Sequence, residues 1–224
     1  MPGVHSLHPW KVSIDEAIRI QETLRERVIL KKTFSELRHI GGGDVGYSKN
    51  KKLLLGAIAV FSFPEMEMLD FATVYGEIPF PYISGFLSFR EGPILIEAFN
   101  QLKIKPDLMI LEGQGIAHPR EFGLASHLGL WLDLPSIGCT KTPLLYGFVS
   151  PGTSKKGSYK SILKEGKEVG AVLRTREGVK PIFISPGHRI DLPTTIRIIL
   201  STCSKFRIPE PLRRAHQLTR ILQK

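Results

Sequence analysis

Two cysteines, Cys139 and Cys203, are the only thiols in a chain of 224 residues. They stand far apart and lack metal-ligand spacing, so two buried, reduced thiols are expected rather than a disulfide framework or a thiolate metal site. Long apolar runs are missing too. Every hydrophobic stretch is interrupted well short of a membrane span, and the first residues carry no apolar signal block. These absences predict a cytoplasmic protein with no membrane partner. No repeat of solenoid period and no low-complexity tract is present. With 42% hydrophobic residues, the chain has enough apolar material for one substantial domain with a real core. That domain is expected to span 1–224 as a monomer, with residues 1–39 contributing a helix packed on the core.

Acidic charge is the other scarcity. Against 31 Lys and Arg there are 21 Asp and Glu, a net charge of +10. The surplus is clustered in Lys155, Lys156, Lys160, Lys164 and Lys167, and again in Arg207, Arg213, Arg214 and Arg220. Such clustering favours a polyanionic partner, nucleic acid before membrane surface.

Ser13-Ile14-Asp15-Glu16 reads as a capping box, and Ile14, Ala17, Ile18, Leu24 and Val28 recur at helical spacing. The spacing predicts a helix to about Lys32, with no chemistry of its own. Three β-rich runs follow: Gly43 to Ser48, Leu53 to Phe63, and Met66 to Ile78. The short connections Lys49-Asn50-Lys51 and Pro64-Glu65 make them an antiparallel meander. Helical period resumes from Phe86 to Leu102, with Pro93 expected to break it. Leu108 to Glu112 is a strand, a helix is expected from Pro119 to about Trp131, and Pro135 to Lys141 is a strand. Phe148 to Lys167 reads as a mobile excursion, Val169 to Thr175 and Pro181 to Ser185 as a strand pair. Pro186-Gly187-His188-Arg189 is expected to turn into a helix over Leu192 to Lys205, and a last helix runs from Pro211 to Leu222. This order predicts a mixed α/β sheet with helices on its faces.

The chain is organised around Asp107 to Arg120, where an apolar strand ends on Glu112 and two glycines, His118 and Arg120 follow. In open α/β sheets ligands bind beyond the carboxyl ends of strands, and glycines there admit a close approach. Asp44 lies on the first strand between glycines, Glu91 early in a helix, and His216 on the last helix. Carboxylate oxygens from Asp44, Glu91 and Glu112 are hard ligands suited to Mg²⁺ or Mn²⁺. Pro79 to Gly85 forms a rigid prolyl-aromatic tip of the kind that enters base stacks.

Ordered motifs then carry a resemblance: Gly43-Asp44-Val45-Gly46, Pro81-Tyr82-Ile83, Phe89-Arg90-Glu91, Gly113-Gln114-Gly115 with His118-Pro119-Arg120, and Pro135-Ser136-Ile137-Gly138. Ser185-Pro186-Gly187-His188 and Pro209-Glu210-Pro211-Leu212-Arg213 follow. Across roughly 40–222 the chain resembles endonuclease V, the deoxyinosine-directed nucleases of DNA repair. The resemblance implies a ribonuclease H-like sheet, in which an antiparallel three-stranded meander is extended by parallel strands and flanked by helices. It implies Mg²⁺-dependent nicking, with Mn²⁺ as a possible substitute, at the second phosphodiester 3′ to a deaminated base. On that pattern Asp44, Glu91 and Glu112 hold the metal, and His216 belongs to its shell directly or through water. Lys141 stabilises charge at the scissile phosphate. Pro81, Tyr82, Ile83 and Ser84 form a strand-separating wedge, and Gly85, Leu87, Gly113, His118, Gly123 and Leu124 line the hypoxanthine pocket.

Two positions depart from the family pattern. Glu112 stands where most relatives carry Asp, and Ser84 replaces a proline. One added methylene moves a carboxylate outward by roughly 1.5 Å, whereas metal–oxygen distances tolerate only a few tenths of an ångström. Two further readings stand beside the active DNA nuclease: an inosine-binding protein whose metal site Glu112 has weakened, and, because readout of the sugar 2′-OH is local, a nuclease for inosine in RNA.

Overall fold

The computed structural model describes residues 6–48, 52–144 and 149–221. Among them lie five helices and eight strands. The expected connection at Lys49-Asn50-Lys51, the position Phe148 and the end of the last helix at Leu222 fall outside the described residues.

Helix α1 (Ile14–Arg25) begins at the Ser13–Glu16 capping box, in which each residue's side chain accepts from the other's backbone N–H. It ends a turn or more before Lys32. Strands β1 (His39–Ser48), β2 (Leu53–Ser62) and β3 (Met68–Gly76) form the antiparallel meander. Helix α2 (Leu87–Gln101) runs unbroken through Pro93, a correction to the expected break. The ring removes one helical hydrogen bond, while Phe89, Ile94, Leu95, Ala98 and Phe99 on both sides of it are buried and hold the helix together.

Strand β4 (Leu108–Glu112) pairs in parallel with β1 and with β5 (Ser136–Thr140). Helix α3 (Leu124–Leu132) starts five residues later than Pro119 suggests. The intervening chain is a turn in which Glu121 has a left-handed backbone, φ +54°, and Gly123 is the N-cap. A helix cannot run through that conformation.

The basic stretch before Lys167 is not wholly an excursion. Strands β6 (Tyr159–Lys164) and β7 (Lys167–Leu173) form a hairpin on β8 (Ile182–His188). Lys160 and Lys164 flank the buried Ile162 on one face of β6 and hide its alternation, charged residues of the kind found on edge strands. Pro186, Gly187 and His188 belong to β8 rather than to a turn. Helix α4 (Leu192–Thr202) is capped by Asp191, whose side chain accepts from Thr194 N–H at 2.7 Å. Helix α5 (Glu210–Ile221) closes the described chain.

The sheet order is β3-β2-β1-β4-β5-β8-β7-β6, a ribonuclease H-like mixed sheet. Consecutive residues of β4 feed opposite cores, as strand pleating requires. Met109 and Leu111 join the cluster under α2 and α3, while Leu108 and Ile110 join the one under α4 and the start of α5. Helix α1 docks through Ala17 against Phe80, Phe86 and Phe89. Among the described residues no helix is long and apolar enough to cross a membrane.

Candidate active site

From β1 the chain builds outward to β2 and β3, and later returns to add β4 on the other side. This reversal is a topological switch point, where open sheets leave a crevice. The parallel register runs to Gly43 opposite Leu111, so Asp44 and Glu112 follow side by side. Asp44 is 6% exposed. His216 Nδ1 lies 2.8 Å from its Oδ2, and the Thr219 hydroxyl lies 3.4 Å from the same oxygen.

Glu91, from the second turn of α2, is pushed up to about 8, first by burial and then by the negative charges of Asp44 and Glu112, against the opposing charge of Arg90. Glu112 is likewise raised by burial and Asp44, while Lys141 and His216 oppose the rise. Lys141 Nζ stands 3.9 Å from Glu112 Oε2. The five polar residues singled out in the sequence therefore share one electrostatic neighbourhood. Among the described residues, no three acidic, His or Cys side chains are already closed into an ion-holding cluster.

Beside Glu112 opens a cavity of about 260 Å³. All six positions expected to hold a base, Gly85, Leu87, Gly113, His118, Gly123 and Leu124, line it. His118 is buried, and its pKa is lowered to about 4 by burial and then by the nearby Arg120 charge. It is the neutral Nε2–H tautomer: Nδ1 accepts from Arg120 N–H at 3.1 Å, and Nε2 donates to the Gly85 carbonyl at 3.0 Å. Both ring nitrogens are thus committed inside the protein.

The wedge positions divide. Tyr82 is 79% exposed, which removes core packing as its role, and the Arg90 guanidinium lies 5.9 Å from its ring. Pro81 and Ser84 are exposed too, whereas Ile83 packs against the Phe80–Phe86–Phe89 cluster as a root. Residues that sequence reasoning passed over also belong here: Thr219 on Asp44, Gln114 in the cavity wall, and Gln21 beneath it. Gln21 had a signal, since it sits between Ala17 and Leu24 on the buried stripe of α1 where an apolar residue is expected.

A mixed sheet whose central parallel strands end in clustered carboxylates beside a deep cavity has the architecture of a ribonuclease H-like nuclease. The family model for Endonuclease V matches residues 22–217, and the chain belongs to the endonuclease V family of nucleases. It is 50% identical over 207 residues to an endonuclease V of Dictyoglomus turgidum, covering 92% of this chain and 89% of that one. An endonuclease V structure from Streptomyces avermitilis superposes with a TM-score of 0.89 at 40% identity, covering 95% and 94% of the two chains. Ciona intestinalis endonuclease V, solved with a 24mer DNA containing an inosine followed by a ribo-adenosine, superposes at 0.82 with 31% identity, covering 93% and 97%.

Proposed function

We propose that this protein nicks DNA at the second phosphodiester 3′ to deoxyinosine and other deaminated bases, as a step in repair. The observation that carries this reading is contiguity: Glu112 belongs both to the acid cluster and to the wall of the cavity. A base held in the cavity would place its own backbone beside the acids. Tyr82, exposed at the tip of the wedge loop, would occupy the gap left in the duplex. An inosine mispair is cheaper to open than a proper pair, which adds selectivity before any contact forms.

The donor chemistry fits a hard divalent cation, Mg²⁺ with Mn²⁺ as a substitute. Glu91 and Glu112, both raised by burial and by the neighbouring negative charge of Asp44, are relieved by a cation among them. Asp44, Glu91 and Glu112 would hold it, with His216 orienting Asp44 through the 2.8 Å contact. When bound, such an ion supplies charge neutralisation for a phosphodiester under attack. Lys141, exposed next to Glu112, adds a cation facing the scissile phosphate. Pocket backbone groups read hypoxanthine, whose O6 acceptor and N1 donor reverse the pattern of adenine.

The test is an end-labelled duplex with one deoxyinosine, incubated with Mg²⁺, with Mn²⁺ and with EDTA. A single nick one nucleotide beyond the inosine's 3′ neighbour, lost in EDTA and in Asp44→Ala, is expected. Lesion-selective binding without a nick would make it a binding protein. A nick confined to a second strand in which a ribonucleotide follows the inosine, as in the DNA of the Ciona intestinalis complex, would move the substrate to RNA.

A further inference from the structure

Gln21, in a helix that the sequence endows with no chemistry, ties the cavity together. It is 0% exposed, and every polar atom of its carboxamide is engaged. Nε2 donates to the Gly85 carbonyl at 3.0 Å and to the Phe122 carbonyl at 3.1 Å, while Oε1 accepts from Arg120 Nε at 2.6 Å. The Gly85 carbonyl also accepts from Arg120 Nη2 at 2.9 Å and from His118 Nε2–H at 3.0 Å. Three donors thus converge on an oxygen with two lone pairs, which fixes the direction of that peptide plane.

These bonds join the cavity's two walls. Gly85 ends the wedge loop just before α2; Phe122 precedes Gly123, the N-cap of α3. There is no slack at the first wall: Gly85 has φ +83°, and a Cβ there would fall 2.9 Å from Arg120 Nη2. The guanidinium is itself seated 4.4 Å from the centre of the Phe86 ring. A residue needed only to dock α1 would be apolar, since burying a carboxamide costs free energy that an aliphatic side chain does not incur. Here its amide nitrogen holds backbone carbonyls at both walls, and its oxygen holds the Arg120 side chain that binds one of them.

We propose that Gln21, held by Arg120, is a positioning residue for base discrimination, setting the spacing and orientation of the two walls between which inosine is read. This rests on the base-pocket reading above. Telling hypoxanthine from adenine requires one donor and one acceptor placed within the narrow range of hydrogen-bond distances. A pocket whose walls drift apart loses that difference before it loses its grip on the backbone.

The test compares binding of two single-stranded oligonucleotides, identical except for one deoxyinosine against deoxyadenosine, with no divalent cation and again with Ca²⁺. The native protein should prefer inosine. Gln21→Met should lower that preference by about tenfold, equivalent to about 1.4 kcal/mol, entirely through the inosine strand. Arg120→Lys, which keeps the charge and loses the fork, should do the same, and the double variant should lose no more than either alone. Arg120 is only part-buried, so its variant carries the test if Gln21→Met fails to fold by circular dichroism. A preference kept within about twofold in a folded variant, or equal losses on both strands, would overturn the proposal. A native protein without preference would instead defeat the base-pocket reading itself, and the proposal with it.

Discussion

His216 Nδ1 and Asp44 Oδ2 meet at 2.8 Å across a sequence separation of 172 residues. The contact exists because α5 lies directly on β1, where Gly42 offers no side chain. A Cβ on Gly42 would fall 2.1 Å from the Pro211 carbonyl carbon and 2.3 Å from the Leu212 nitrogen. Backbone cannot yield there as a side chain would.

Gly42→Ala should therefore lift α5 and separate His216 from Asp44. The expected cost is about 1–3 kcal/mol in denaturant unfolding, the range for forced overpacking, together with loss of nicking. Native stability in this variant would show that the helix seats itself by other contacts.

Glu112→Asp draws the carboxylate back by roughly 1.5 Å and takes it from the 3.9 Å approach of Lys141. The ratio of Mg²⁺- to Mn²⁺-supported nicking should rise. An unaltered ratio would mean that residue 112 does not set the metal preference.

Tyr82→Ala removes a ring that is 79% exposed and supports no core. Binding to inosine duplexes should fall about tenfold or more, in line with the cost of losing one aromatic stacking platform, while single-strand binding changes little. Equal losses on duplex and single strand would remove the wedge role, since only a duplex needs its gap filled.

His118 is held to about 4 in the folded protein against an ordinary value of 6.5. Its contribution is fully present above pH 6.5 and is lost as pH falls toward 4, because the unfolded chain takes up a proton that the folded chain refuses. The shift corresponds to about 3 kcal/mol. Glu91, pushed up to about 8, works in the opposite sense in metal-free protein. The difference between native and His118→Gln unfolding profiles from pH 7 to 4.5 isolates the histidine. The native chain should lose more stability than the variant over that range, and parallel profiles would contradict a neutral His118 in the folded protein.

Much of the sheet could be read from the chain. β-rich runs and short connections specify β2, β3 and the second half of β1 from Gly43, and the apolar run ending on Glu112 specifies β4; β1 itself begins four residues earlier, at His39. What could not be read has physical causes. Pro93 is tolerated because tertiary burial outweighs one missing hydrogen bond. Pro119 resembles a helix start, yet the left-handed Glu121 postpones α3 to Leu124. Strand β6 hides its alternation because Ile162, its one buried residue, stands between Lys160 and Lys164 on the same face. At the candidate site, acids and glycines were visible as residue types in motif order. Thr219 was not, since its part is defined only by a neighbour distant in sequence, and Gln21 showed only as a polar residue on the apolar stripe of α1, without its partners.

The seating of α5 on Gly42 also fixes a moment in the life of the chain. During synthesis the N-terminal strands emerge first, and domains organise as their residues become available. Asp44, Glu91, Glu112 and Lys141 have all left the ribosome before α5 exists. Until α5 arrives, Asp44 has no imidazole partner, and the Gly42 face of β1 lacks the helix that covers it. The cluster is completed only when α5 is made, so a chain synthesised as far as Lys141 holds these acids without their finished arrangement.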